Sequence, residues 1–339
     1  MQIAKKILKI TGCVLGGIVA LFLVVYALFA IIGCAMYGEY RDVREYACDI
    51  PALNSGFVPQ GITYSEKYDK YIHTGYDGDN NTVTFIGNGD EFREVVLEDG
   101  DGSRLKGHAG GVTVAGEWVY VASNANLYMY SVKDMLSGED SVPCAEVIPV
   151  DNNAAYCFST DDELFVGEFY REQNYKTDEA HHYTTPNGDE NKAIVSCYQL
   201  VGGRIAGATL QPYPKYRISI TGLVQGIAVH DGVYMLSRSY GLVNSAIEYH
   251  SGLKPELPEL PELSEVTFKN NADAPKIKVP LYYLDGTTLV KSLVAPSFTE
   301  DLAIAHDRLI VTNESACNKY IVGKLFGANK VYSLPVYKE

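Results

Sequence analysis

The chain has 339 residues, 47% of them hydrophobic, and a formal net charge of −14. That apolar content supports a sizeable core and argues against disorder. The acidic balance argues against a nucleic-acid partner, because phosphate binding needs a basic footprint; it leaves room for calcium or a neutral polar ligand.

Residues 10–33 (ITGCVLGGIVALFLVVYALFAIIG) carry no charge and are long enough to cross a bilayer as a helix. Lys5, Lys6 and Lys9 precede this run, and no acidic residue occurs before Glu39. The positive-inside rule places residues 1–9 in the cytoplasm. Residues 34–42 are then a juxtamembrane linker and 43–339 an extracytoplasmic domain. An uncleaved single-pass anchor is the expected topology. Ile31-Ile32-Gly33-Cys34 also resembles a lipobox, which would make Cys34 a lipidated N-terminus. Full secretion is the third topology, although the apolar stretch of a cleaved signal spans only about 7–15 residues.

Five segments beyond the anchor share one pattern: 58–77, 108–131, 153–170, 224–241 and 299–315. Each opens on a small or polar pair, continues as a short apolar strand, turns through Gly, Asp, Glu or Ser, and returns as a second strand. Further strand-like runs follow: 83–87 and 92–98, 126–132 and 145–150, 193–200 and 204–211, 279–286 and 289–296, then 330–337. No amphipathic helix of convincing length intervenes. The expectation is an all-β domain, a β-propeller of four-stranded blades. The count fits five blades, with six left open by the long stretches after 170 and 241. The fifth unit lacks an outer strand and residues 43–50 are a spare one, so the spare strand is expected to close the ring beside 330–337. Two polar insertions, 171–192 and the Pro-rich, acidic 254–265, are expected as extended loops between second and third strands.

In this architecture the start of each first strand and the end of each second strand lie on one face, the usual ligand-binding mouth. The first-strand starts supply Gln60, His108 with Gly110, Asn153, Gln225, and Glu300 with Asp301. The second-strand ends supply Tyr76 and Asp77, Ser123 and Asn124, Glu168 and Tyr170, Arg238 and Tyr240, and Asn313 and Glu314. Such acids, amides, one His and one Arg suit sugar binding, metal coordination or acid–base work. They equally suit hydrogen bonding between blades around a water-filled channel.

Other features are weaker. Asp77-Gly78-Asp79-Asn80-Asn81 alternates like a calcium loop, but Asn88 stands where such a loop needs a bidentate Glu, so a hairpin turn is expected. His181-His182 reads as surface. The seven cysteines include no CxxC pair and read as thiols, buried where they fall in the domain. GxSxG, HExxH and phosphate-cradling glycine loops do not occur.

The segments VPQGITY, GHAGGVTVAGEWVYVAS and QGIAVHDGVYML resemble a group of bacterial secreted or membrane-anchored proteins with propeller-like repeats, over most of residues 43–339. That resemblance implies an architecture and no particular activity. Locally, residues 225–247 are similar to the opening repeat of propeller-type glutaminyl cyclotransferases. That family carries a catalytic Glu after the Tyr of the second strand and a Trp-rich pocket; here Met235 follows Tyr234, and Trp118 is the single tryptophan. Calcium-dependent apyrases share an acid-lined propeller by analogy of architecture. Two functions follow as expectations: a membrane-held binding module for a small polar ligand, glycan, peptide or partner protein, or a hydrolase or lyase using clustered acids, with calcium as its cofactor if it has one.

Overall fold

The computed structural model describes residues 2–207, 211–253, 262–268, 271, 273–320, 324 and 328–337. Helix α1, Gln2–Met36, contains the apolar run, and within its stretch Lys5–Ile32 an 18-residue window has a mean hydropathy of 2.8 and no burial against the rest of the chain. It is long and apolar enough to cross a membrane. Tyr37 separates it from a short helix α2, Gly38–Val43. The linker expected over 34–42 is therefore helical, and it docks: Tyr37 and Tyr40 are buried in the largest core cluster.

The described strands form five sheets of four or more strands and one two-stranded ribbon. The first four strands of sheet I are Val58–Ser65, Lys70–Tyr76, Thr82–Asn88 and Glu91–Leu97. Sheet II has Gly111–Ala115, Trp118–Ser123, Asn126–Ser131 and Glu146–Pro149. Sheet III begins with Ala154–Ser159, Glu163–Glu168, Ala193–Val201 and Tyr216–Ile220. Sheet IV has Val224–His230, Val233–Arg238, Ser245–His250 and Leu289–Ala295. Sheet V has Thr299–Ala305, Arg308–Asn313, Lys330–Pro335 and, on its outer edge, Glu45–Asp49. Glu45 pairs with Ser333 and Asp49 with Lys330, so the spare N-terminal strand covers an edge that would otherwise be open.

The first strand of each sheet packs against the first strands of its two neighbours, and the fifth returns to the first. The result is a β-propeller. Hairpin chemistry explains the tight returns: Asp231 and Gly232 take φ of 49° and 77°, and His306 and Asp307 take 51° and 56°, the paired left-handed residues of a two-residue hairpin turn. Close approach of inner strands explains the small residues that open each repeat. A Cβ on Gly226 would lie 2.7 Å from Asp301 Cα, and one on Gly111 would lie 2.5 Å from Tyr156 Cα.

Three strand expectations need correction. Of 279–286, residues 279–283 fall in the strand Ile277–Tyr283, which joins sheet III, parallel to Tyr216–Ile220, and not sheet IV. The third strand of sheet IV is Ser245–His250. Of 204–211, only Arg204–Ile205 is a strand; 208–210 lie outside the described residues. Nor is the acidic insertion an extended loop between second and third strands. It follows the third strand of its sheet, 254–261 lie outside the described residues, and Glu262–Val266 is a strand against Ile277–Tyr283. A buried network holds it there. Arg217 donates to Asp151 Oδ2 from Nε (2.9 Å) and to Ser264 Oγ and Glu265 O from Nη1 (2.8 Å each). Buried charges persist only when paired and hydrogen-bonded in this way.

Candidate functional site

The mouth is shaped by breaks in β register. In sheets I, III, IV and V the register between first and second strands shifts at the small or polar pair: Pro59/Gly61, Ala154/Tyr156, Val224/Gly226 and Thr299/Leu302. A β-bulge leaves one residue unpaired and re-aims its side chain. The residues so released include Gln60, Gln225 and Glu300, and all three line one cavity of about 600 Å³. Sheet II reaches the same place with a loop. Gly107 and Ala109 take φ of 122° and 46°. Thr82 and Thr74 donate to the carbonyls of Gly107 (3.0 Å) and Ala109 (2.9 Å) and present His108 at the rim.

Seven of the twelve candidate residues therefore meet in this cavity: Gln60, His108, Asn153, Gln225, Tyr240, Glu300 and Glu314. Tyr76, Ser123 and Asn124 line it too. The other five lie outside. Four of them, Glu168, Tyr170, Arg238 and Asn313, sit at or just past second-strand ends, and their side chains are taken up by other contacts or face a neighbouring depression. Tyr170 and Arg238 line an adjacent depression, where Arg238 pairs with Glu248 at 3.2 Å. Asn313 is spent within sheet V, donating to Ser297 O (3.1 Å) and accepting from Ser315 N (2.8 Å). Glu168 is buried, accepting from the backbone N–H of Asn153 (3.0 Å) and Ile194 (3.3 Å) and lying 3.0 Å from His181 Nδ1. His181 is accordingly no surface residue: its insertion folds back and caps the carboxylate. Asp301 lies beneath the mouth, fully buried, its Oδ2 accepting from the N–H groups of Ile62 (3.2 Å) and Val112 (3.5 Å) on two neighbouring sheets.

Electrostatically the cavity centres on Glu300 and Glu314, two buried carboxyls within hydrogen-bonding reach of each other. Burial, then the charges of Glu314 and Asp301, holds Glu300 well above the ordinary carboxyl range. Burial also lifts Glu314, to about 7, against the pull of Lys319 and of a 2.9 Å hydrogen bond from Gln60 Nε2. Two neighbouring carboxyls in a desolvated site cannot both ionise readily, so the pair retains a proton near neutrality. Lys319 donates to Tyr76 OH at 2.5 Å. Burial first, then Lys319, lowers the His108 pKa and keeps the ring neutral. Aromatic faces frame this centre: Tyr76 stacks on His108 with centroids 4.1 Å apart, Phe298 on Tyr320 at 4.5 Å, and Phe169 on Tyr240 at 6.3 Å.

Lys319, Tyr320, Phe298, Phe169 and Tyr175 were not legible as lining residues. Lys319 and Tyr320 belong to the connection 314–329, which has no strand period. Its length was the available signal, since a hairpin between second and third strands needs only a few residues. The Asp77–Asn81 segment is a hairpin turn, in which Asp77 Oδ1 accepts from the N–H groups of Asp79 and Asn81 at 2.9 Å each. Among the described residues, no group of three or more His, Cys, Asp or Glu is arranged to hold a metal ion. Cys48, Cys157, Cys197 and Cys317 are buried free thiols, Cys144 is half-buried, and Cys13 is exposed on α1.

No protein-family model and no curated protein matches the chain. Similar solved structures are propellers. Glutaminyl cyclase of Myxococcus xanthus has a TM-score of 0.44 at 9% identity, over 87% of this chain and 98% of that one. A Thermus thermophilus putative glucose dehydrogenase has 0.42 at 13%, over 86% and 99%. BamB of Moraxella catarrhalis has 0.34 at 8%, over 81% and 84%. Likeness at this level concerns the architecture and brings neither ligand nor activity with it.

Proposed function

We propose that this chain is a membrane-anchored, extracytoplasmic propeller of five blades that binds a neutral polar ligand, such as a glycan or small polyhydroxylated metabolite, at its central mouth. One observation carries the reading: amide and carboxyl side chains from separate sheets converge on one cavity between stacked aromatic rings. Gln60, Asn153 and Gln225 offer donors and acceptors without charge. The proton-sharing carboxyls add both a donor and acceptors, with one negative charge set against Lys319, and ring faces suit the apolar face of a sugar. The orientation rests on Lys5, Lys6 and Lys9 before the apolar helix. A lipoprotein beginning at Cys34 would keep the same attachment, because Tyr37 begins the docked segment.

A glycan and metabolite binding screen on the full chain in nanodiscs tests this. A binder should lose about tenfold or more in affinity with Gln225→Ala, as expected for one removed hydrogen bond in a desolvated site, while the melting temperature stays unchanged. Absence of any polar binder, or a binder indifferent to Gln60→Ala and Gln225→Ala, would count against the proposal.

A second reading, a hydrolase or lyase, is favoured by the carboxyl pair, since a protonated acid beside an ionised one is the usual equipment for acid–base chemistry. Calcium has less support, because the two acids hold a proton and no third ligand joins them among the described residues.

A further inference from the structure

The membrane helix leaves the propeller at the rim of the mouth. Tyr37, the first residue after α1, is buried and donates from its hydroxyl to Asn244 Oδ1 at 3.0 Å. Asn244 ends the loop 239–244 between the second and third strands of sheet IV, and Tyr240 and Gly241 of that loop line the mouth. From Tyr37 the chain runs down the side of the propeller. Glu39 pairs with Lys291 at 2.8 Å, and the Arg44 guanidinium lies 4.0 Å from the Tyr332 ring centroid. The outer strand Glu45–Asp49 then starts at the opposite face and climbs back. The transmembrane segment therefore joins the domain on the mouth side.

The surface beside that junction is unlike the rest of this acidic chain. Leu242 and Val243, in the same loop, are 67% and 75% exposed. Behind them, Arg171, Lys192 and Arg238 line the adjacent depression with one lining acid, Glu172; Arg238 is paired with Glu248 at 3.2 Å and Lys192 with Glu190 at 3.7 Å, which leaves Arg171 as the cation nearest the loop. The Arg171 guanidinium lies 4.0 Å from the Tyr240 ring centroid. Protruding aliphatic residues, an aromatic ring and an arginine stacked on it make up the composition of a bilayer–water interface. Arg171 suits a lipid phosphate and the aliphatic tip suits the acyl boundary.

We propose that loop 240–244 inserts into the head-group region of the bilayer that α1 spans, so that the propeller lies mouth-down and its cavity opens toward the membrane. The proposal rests on the reading of α1 as a membrane anchor. It adds a second, peripheral contact that fixes which face the membrane sees, and it limits access to the mouth to molecules moving in the gap between propeller and lipid.

Brominated lipids test it on the full chain. Trp118 opens its strand at the far face and serves as an internal reference. Leu242→Trp adds a second fluorophore at the proposed contact, and Val201→Trp, at an exposed far-face position, adds one away from it. The chain is reconstituted into vesicles of phosphatidylcholine and phosphatidylglycerol, with and without brominated acyl chains. The tryptophan introduced at 242 should lose at least half its emission in brominated vesicles, and the one at 201 should lose none. Vesicle flotation of the same samples separates the two claims. A full chain that fails to float overturns the anchor and this inference with it. A chain that floats while position 242 stays unquenched, or is quenched no more than 201, overturns the mouth-down orientation alone.

Discussion

Glu300 and Glu314 bind protons more tightly in the folded chain than in the unfolded one, because folding strips water from both and sets them together. Between the unfolded carboxyl range near pH ~4.3 and the folded value of Glu314, about 7, the native state therefore holds more protons. By linkage, the stability associated with the pair is fully present below that window and is lost as pH rises through it. Glu300→Gln keeps the shape and removes one ionisation. Its melting temperature relative to the parent should rise between pH 5 and pH 8, by roughly 2–4 °C for each kcal/mol of relief. Calorimetry across that range reads it directly, and a difference flat with pH would contradict the shared proton. At this scale the sequence showed which residue types gather at the start of each repeat. It did not show that Asp301, beside Glu300, turns under the mouth to accept two backbone N–H groups, because one residue of register decides which way a strand side chain faces.

The repeat was legible at the scale of elements because two local signals agree in each unit: a period of two in apolar residues, and turn residues able to take positive φ. Closure was legible too, since a spare strand before the first unit matched a missing one in the last. The outer part of sheet III was not. Ile277–Tyr283 has good strand chemistry, yet it pairs across to Tyr216–Ile220, and Arg217 draws Glu262–Val266 in beside it. Long-range pairing of that kind leaves no trace in local period. The segment Tyr37–Asp49 yields a prediction of its own. It buries Tyr37 and Tyr40 and covers the edge of Lys330–Pro335. A chain starting at residue 50 should melt several degrees below one starting at residue 37, and the amides of 330–335 that face Glu45–Asp49 should exchange faster with solvent. Equal melting and unchanged exchange would mean the segment is only a tether.

At the scale of the whole molecule, the apolar helix and the acidic domain make a topological prediction. Protease added to intact cells should digest the domain beyond residue 38, and protection of the entire chain until lysis would place it in the cytoplasm instead. What the sequence by itself determined is what local chemistry controls: a 10–33 run long and apolar enough to cross a bilayer, strands from alternation, turns from Gly and Asp, and a repeat that must stack to bury its faces. Only the tertiary structure decided which polar side chains share a cavity, which are sealed under it, and on which side of the propeller the apolar helix emerges. Those outcomes depend on bulges, insertions and cross-sheet pairings between residues far apart in the chain, and such contacts are fixed by the packing of the whole ring rather than by any segment's own propensity.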